Sequence, residues 1–221
     1  MLQHSEPVIK SFKKGRYFVA FFVTICVVLI LCLNACCCAH SPSPISYRSA
    51  EKEWREGDLA LRCGWSKESR AIVAKGKCSY SHIGLLHYDS ISGWTVVHAV
   101  PDEDEPELLK TEPVSVFWCS ERAQLGGWMR VNCNDTIAAA AVRYALQKVS
   151  DHVLFDNKFL LTDTTELYCT ELVWQSYMTQ GLDVTAGRRQ KVPNFISAER
   201  KCIFPSDIEK SETTLFVKHL N

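Results

Sequence analysis

Apolar and polar side chains alternate most regularly in residues 81–99. An alternation with a period of two is typical of a β-strand that buries one face. Residues 89–93 interrupt the pattern with turn-forming side chains and a glycine, so the segment predicts a β-hairpin centred on Ser90. This hairpin would place His82 opposite His98 on one face of the sheet, whereas a slip of one residue would separate them.

Two other segments carry apolar residues at helical spacing. Residues 134–149 predict a helix with Asn134 or Asp135 as its N-cap. Residues 168–181 predict a second helix, because apolar positions recur at helical spacing and the closing glycine is a stop signal. Cys169 falls in the first turn of this second helix.

Weaker patterns fill the rest of the chain. Residues 57–62 predict a strand that is entered through a Gly-Asp turn. We expect further strands around residues 114–117 and 129–131, and a short helix at residues 51–56. Residues 64–77 are consistent with a short helix or with a loop over the site.

The chain opens with basic residues, and an apolar run follows from Tyr17 to Leu33 that only Thr24 interrupts. This order is typical of an export signal. Residues 33–36, Leu-Asn-Ala-Cys, resemble the bacterial lipobox, in which a signal peptidase cuts before a cysteine that then carries lipid. We therefore expect Cys36 to anchor the protein to a membrane, outside the cytoplasm. An uncleaved signal anchor is the alternative.

This interpretation divides the chain into three parts. Residues 1–35 are the predicted signal peptide, residues 36–50 are a lipid-anchored tether with a Ser-Pro-Ser-Pro segment, and residues 51–221 are the folded domain. A chain of 221 residues is long enough for one domain with a full core and short for two.

Composition narrows the range of functions. The chain has 25 basic and 25 acidic residues, and its zero net charge argues against nucleic acid as a partner, since phosphate binding needs a basic surplus. No C-x-x-C pair occurs in the domain, which argues against a zinc ribbon, and no cofactor site is apparent.

An exported protein could pair some of the domain's cysteines in disulfides. These cysteines are Cys63, Cys78, Cys119, Cys133, Cys169 and Cys202.

Cys169 is the candidate nucleophile of the chain. The positive end of a helix favours a thiolate over a thiol. A nucleophilic thiol also needs a base, which need not be near it in sequence, and His82 is the candidate. The competing interpretation is that Cys169 is a small buried hydrophobic residue.

Five short segments appear in the order of one family. They are Gly57-Asp58-Leu59, Ser81-His82-Ile83-Gly84, Val97-His98-Ala99, Phe155-Asp156-Asn157-Lys158-Phe159 and Tyr168-Cys169-Thr170-Glu171-Leu172-Val173. This order resembles the circularly permuted branch of the NlpC/p60 papain-like superfamily, the lipoprotein amidases of the YiiX/YaeF type, in which the histidine strand precedes the cysteine helix. The resemblance implies an α+β fold whose antiparallel sheet packs against helices, including the nucleophile helix.

The same resemblance implies roles for the site residues. Cys169 would be the nucleophile, His82 its general base and then its general acid, and His98 the third, orienting residue. In the lipoprotein branch, the third position is expected to hold an acidic residue at least as often as a histidine. A histidine at this position resembles the related lecithin retinol acyltransferase group. Tyr80 and Tyr168 are candidates for the wall of the cleft. No cofactor or metal is implied.

Three functions remain open at this point. The first is a membrane-tethered thiol hydrolase that cleaves amide bonds, with peptides of the cell wall as its substrate. The second is a thiol acyltransferase or lipid esterase on the same scaffold, which the tether and the second histidine favour. The third is a non-enzymatic protein that binds a metal or another ligand through His82, His98 and Cys169.

Overall fold

The structure is a computed structural model, and it describes residues 44–101, 108–161, 165–192 and 200–220. The predicted signal peptide and the predicted lipidation site, Cys36, lie outside the described residues. Within the described residues, no helix is long and apolar enough to cross a membrane.

A six-stranded sheet forms the centre of the domain. The strands of the chain are β1 (Leu59–Cys63), β2 (His82–Asp89), β3 (Gly93–His98), β4 (Lys110–Pro113), β5 (Leu125–Val131), β6 (Leu154–Phe155), β7 (Glu166–Leu167), β8 (Gln190–Val192), β9 (Arg200–Cys202) and β10 (Thr214–Leu220). The central sheet has the order β10-β5-β1-β2-β3-β4, and all of its pairs are antiparallel. Two small sheets pair β6 with β7 and β8 with β9.

The helices confirm the two strongest helical patterns in the sequence. They are α1 (Lys67–Gly76), α2 (Val114–Phe117), α3 (Asp135–Ser150), α4 (Cys169–Met178) and α5 (Pro205–Glu209). Asn134 caps α3, since its side chain accepts a hydrogen bond from the N–H of Ile137. Gly181, with φ of 78°, turns the chain just beyond α4. The α+β class and the antiparallel sheet are as expected.

The two faces of the central sheet are covered by different parts of the chain. One face packs against α3 and α4, and its buried side chains include Leu59, Leu61, Ile83, Leu85, Val97 and Met129. The opposite face packs against α2 and residues 44–54, and its buried side chains include Ala60, Leu86, Val96, Phe117, Trp118 and Trp128. The described end of the predicted tether, residues 44–50, therefore packs on the domain, with Ile45 and Ala50 buried.

Two weaker predictions differ from the structure, and one open choice is decided by it. Residues 51–56 form turns and not a helix. Residues 114–117 form α2 and not a strand, because β4 ends at Pro113, which lacks the N–H that a strand needs to continue its ladder. Residues 67–76 form α1, so the open choice between a helix and a loop is decided in favour of the helix.

The hairpin of β2 and β3 forms, but its centre is one residue later than expected. Leu85 pairs with Val97 and Asp89 pairs with Gly93, so the hairpin is centred on Ile91 and not on Ser90. Asp89 accepts hydrogen bonds from the backbone of the loop, and Gly93 has φ of 74°, a conformation that favours glycine. The predicted direct opposition of His82 and His98 is wrong by two residues, and a shift of two keeps both side chains on one face.

Candidate active site

Two histidine rings meet where β2 begins and β3 ends. Nε2 of His82 lies 2.9 Å from Nδ1 of His98, and both rings are buried. Both rings also contact Phe117, so they belong to the face of the sheet that α2 covers. Gly84 makes this approach possible, because a Cβ atom there would lie 2.9 Å from Cβ of His98 and 2.8 Å from the carbonyl oxygen of Val97.

A buried carboxylate lies against His98 on the side of the ring that faces away from His82. Oε1 of Glu112, on β4, lies 3.2 Å from Nε2 of His98. This is the distance of an ion pair, although the alignment of the two groups is poorer than in a regular hydrogen bond. Glu112 also faces Arg62 at 3.6 Å and Arg122 at 2.8 Å. Sequence analysis did not identify Glu112, Arg62 or Arg122.

Arg62 is the most deeply placed cation of this cluster. It lies on β1, directly across from His82, and its guanidinium stacks on Phe117 at 4.5 Å from the ring centre. Its Nη1 donates to the carbonyl oxygen of Phe117 at 3.0 Å. The side chain is 8% exposed, so Glu112 and Arg62 compensate each other in a site that water reaches poorly.

Cys169 begins α4 and lies beside the residue that follows His82. The backbone N–H of Ile83 lies close enough to its sulfur to lower the pKa of the thiol. Leu86 directs its N–H to β1, where Asp58 accepts it, and successive residues of a strand alternate, so Ile83 directs its N–H toward β3. The ladder between β2 and β3 begins only at Leu85. The sulfur therefore lies near the plane of the sheet, at the end of β3.

The charges expected for a preformed ion pair are not those of the resting site. Burial raises the pKa of the Cys169 thiol to about 11, although the N–H groups of Ile83 and Thr170 and the charge of Arg62 act in the opposite direction. Burial also lowers the pKa of His82 well below 6.5, and Arg62 and His98 lower it further. The expectation that the helix N-terminus favours a thiolate fails because the loss of solvation is the larger effect.

His98 is also neutral at pH 7. Burial lowers its pKa to about 4, and the contact with Glu112 opposes that effect. The pKa of Glu112 is lowered: burial would raise it, but His98, Arg62 and Arg122 together outweigh burial. The cluster thus holds one carboxylate and two neutral rings at neutral pH.

The two tyrosines proposed for the cleft wall are both buried. The hydroxyl of Tyr80 contacts the carbonyl oxygen of Gly126 at 3.1 Å and Nδ1 of His219 at 2.5 Å, so the structure places Tyr80 between β5 and β10 and not along a cleft. The hydroxyl of Tyr168 accepts from the N–H of Ile203 at 3.0 Å. Tyr168 therefore ties the start of α4 to the segment that follows β9.

The cysteines of the domain are all free in the described residues, so no disulfide is formed there. Among the same residues, no group of three or more His, Cys, Asp or Glu side chains is placed to hold a metal ion. His82, His98 and Cys169 are thus not arranged as a metal site in the part of the chain that the structure describes.

Comparison with known proteins identifies a similar fold and no similar sequence. No family model and no curated protein matches the sequence. The fold is similar to the crystal structure of the metalloprotein yiiX (DUF1105) from Escherichia coli O157:H7, with a TM-score of 0.61 and 19% sequence identity. The match covers 74% of this chain and 96% of the yiiX chain. The chain therefore has a YiiX-like α+β fold.

Proposed function

We propose that this protein is a thiol hydrolase with a permuted papain-like arrangement, which cleaves amide bonds through Cys169. One relationship carries the proposal. The N–H of Ile83 acts on the sulfur of Cys169 and lowers its pKa, and the preceding residue, His82, lies 2.9 Å from His98. In this proposal Cys169 is the nucleophile, His82 the base and His98 the orienting group, which are the three roles of a nucleophilic triad.

The first half of the reaction forms a thioester. Nε2 of His82 is engaged by His98, so Nδ1 is the nitrogen that takes the proton of the Cys169 thiol. The sulfur attacks the carbonyl carbon of the substrate, and the carbonyl oxygen becomes an oxyanion. The N–H groups in the first turn of α4 have no acceptor within the helix and can stabilise this charge. His82 then gives the proton to the leaving nitrogen as the C–N bond breaks.

The second half releases the acid. His82 takes a proton from a water molecule, and the hydroxide attacks the thioester carbon. The C–S bond breaks, the carboxylic acid leaves, and the proton on His82 returns to the sulfur of Cys169. Because both groups start neutral, charge separates only during the attack, and the neutral ring of His98 accepts the Nε2–H of His82 and keeps that ring oriented.

The proposal extends to location and substrate. A lipid on Cys36 would hold the domain at a membrane outside the cytoplasm, beside cell-wall peptides. Incorporation of an alkyne fatty acid in bacteria tests the anchor. The label should be lost in Cys36→Ser and kept in the neighbouring variant Cys38→Ser. Full labelling of Cys36→Ser would contradict a lipid at this position.

Trapping of an acyl-enzyme tests the chemistry. A soluble domain from residue 44 onward is incubated with a p-nitrophenyl acyl ester and analysed by mass spectrometry. We expect one acyl group on Cys169, no acylation in Cys169→Ala, and at least about a hundredfold slower acylation in His82→Ala. Cys133→Ala is the matched control, since Cys133 is also a half-buried free thiol. Normal acylation of Cys169→Ala would overturn the proposal.

Transfer to an acyl acceptor other than water is the second candidate function. The contact between His82 and His98 favours acyl transfer, because a histidine as the orienting residue resembles the arrangement in the lecithin retinol acyltransferase group. Peptide amides and phospholipids, supplied as separate substrates, distinguish the two. Turnover of the phospholipid alone, with the acyl group recovered on an amine, would favour transfer.

Binding of a metal is the third candidate, and the metalloprotein yiiX is the reason to test it. Turnover by the proposed mechanism uses only protein groups. We therefore expect activity to be unchanged after treatment with a chelator. A loss of activity that added zinc restores would favour a metal-dependent reaction instead.

A further inference from the structure

We infer that Glu112 is a positioning residue of the site: its carboxylate sets the tautomer of His98 and thereby leaves the lone pair of His82 on Nδ1. The inference rests on the proposed function, because it assigns the proton acceptor of that reaction. It rests on the contacts that run from His82 through His98 to Glu112.

The contacts favour one arrangement of protons at neutral pH. An ionised carboxylate only accepts hydrogen bonds, so Nε2 of His98, which lies 3.2 Å from Glu112, carries the proton of that ring. Nδ1 of the neutral His98 then has a lone pair and accepts from Nε2–H of His82 at 2.9 Å. The remaining lone pair of His82 is on Nδ1. This is the nitrogen that must receive the thiol proton.

Two arginines hold Glu112 in its ionised form. Arg122 donates to Oε2 at 2.8 Å, and Arg62 lies 3.6 Å from Oε1, while Lys110 approaches Oε2 at 4.0 Å. These cations keep the carboxylate from taking a proton, so it remains an acceptor for His98. Arg62 reaches Glu112 from β1, although β2 and β3 lie between β1 and β4 in the sheet.

The charged groups around His98 give the inference a pH signature. His82, Glu112, Arg62 and Lys110 all face the ring or act on it. Among them only Glu112 favours a proton on His98. Loss of the Glu112 charge therefore makes protonation of His98 harder, and the part of the acid limb of the pH–rate profile that reports His98 should move to lower pH.

The first test is kinetic and uses Glu112→Gln, which keeps the shape of the side chain and removes its charge. We expect kcat to fall by at least about tenfold with little change in KM, because the ring of His82 is no longer held in the reactive tautomer. The acid limb should shift to lower pH. Glu121→Gln is the matched control, since Glu121 is exposed and lies on the neighbouring segment. A residue with a purely structural role would alter thermal stability but leave the acid limb in place.

The deciding test reads the tautomers directly. Long-range ¹H–¹⁵N correlation spectra of the domain with ¹⁵N-labelled histidine, assigned with His98→Gln, show which ring nitrogen carries each proton. We expect Nε2–H on both His82 and His98 in the wild-type domain, and a mixture at His98 in Glu112→Gln. A wild-type His98 with its proton on Nδ1 would overturn the inference, even if Glu112→Gln did not fold. The spectra need no turnover, so a failure of the proposed hydrolysis is seen separately, in the acylation experiment.

Discussion

Nε2 of His82 and Nδ1 of His98 lie 2.9 Å apart, although the two residues are diagonal across the hairpin. Diagonal neighbours on one face of a sheet are within reach of long or aromatic side chains. With both pKa values below the usual 6.5, one hydrogen atom lies between two neutral rings at pH 7. The pair can therefore orient a base without adding a charge to the site.

Replacement of His98 by glutamine should reduce kcat by at least about tenfold, because His82 loses the group that orients it. The change is measured as kcat and KM on an activated ester. His87→Gln is the matched control, since His87 lies on β2, the strand of His82, on the opposite face of the hairpin, and pairs with Glu56. Equal losses in both variants would mean that the effect comes from general damage to the hairpin of β2 and β3.

Activity should persist well below pH 6.5. The reaction needs neutral His82, and burial together with Arg62 and His98 lowers the pKa of His82 well below 6.5. The acid limb of kcat/KM in the free enzyme reports this group. An acid limb close to 6.5 would show that His82 is solvated in the working enzyme, contrary to the buried site described here.

Alkylation of Cys169 should be slow at neutral pH and should rise into the alkaline range. Burial raises the pKa of the thiol to about 11, so little thiolate is present at pH 7. The rate of reaction with iodoacetamide is followed from pH 6 to 10 by mass spectrometry, with Cys133→Ala as the background that removes a second half-buried thiol. A fast rate that is independent of pH below 8 would indicate a preformed thiolate–imidazolium pair instead.

The stability of the domain should fall on acidification through the titration of His98. The unfolded chain binds a proton near pH 6.5, whereas the folded His98 binds it only near pH 4. Between these values the unfolded state holds more protons, so stability is complete above pH 6.5 and decreases as the pH falls toward 4. The loss from this group is up to about 3 kcal/mol.

Urea unfolding at a series of pH values measures this dependence. The curve of His98→Gln should be flatter than that of the wild type between pH 6.5 and 4, because glutamine does not titrate. Identical slopes in the two proteins would show that the acid sensitivity of the domain has another source.

Replacement of Gly84 by alanine should damage both stability and activity. The new Cβ would lie 2.5 Å from Cγ1 of Val96, 2.8 Å from the carbonyl oxygen of Val97 and 2.9 Å from Cβ of His98. Overpacking of this kind costs roughly 1–3 kcal/mol. Thermal unfolding and kcat are measured together, with Ser90→Ala in the exposed loop of the same hairpin as control. An unchanged kcat would mean that the backbone of β3 can shift to make room for the methyl group without moving the ring of His98.

The parts of the fold that follow from local pattern were predictable from the sequence. The alternation in residues 81–99 and the helical spacing after Asn134 and Tyr168 correspond to β2, β3, α3 and α4. The pairing of His82 with His98 also followed, because a shift of two residues preserves the face. The exact register depended on the loop, where Asp89 binds the backbone of Ile91 and Ser92.

The rest depended on long-range contacts that no local pattern encodes. Glu112 lies on a short strand whose pairing with β3 is formed across a long connection, so its position beside His98 could not be read from spacing. Residues 114–117 contain β-branched and aromatic side chains that favour a strand, but they form α2, in which Val114 and Phe117 are buried on one side. The pKa of Cys169 likewise reflects burial by the whole fold, which outweighs the local influence of the helix.

The end of β3 at His98 makes strand length a determinant of reactivity. The ladder stops before Ile83, and the N–H that a longer β3 would bind is the one that lowers the pKa of the Cys169 thiol. A lengthening of β3 by two ordered residues would therefore compete with the nucleophile for a single hydrogen atom. Under the proposed mechanism the domain would then lose activity while Cys169, His82 and His98 all stayed in place. The backbone at one strand end would thus belong to the proposed site as much as the side chains do.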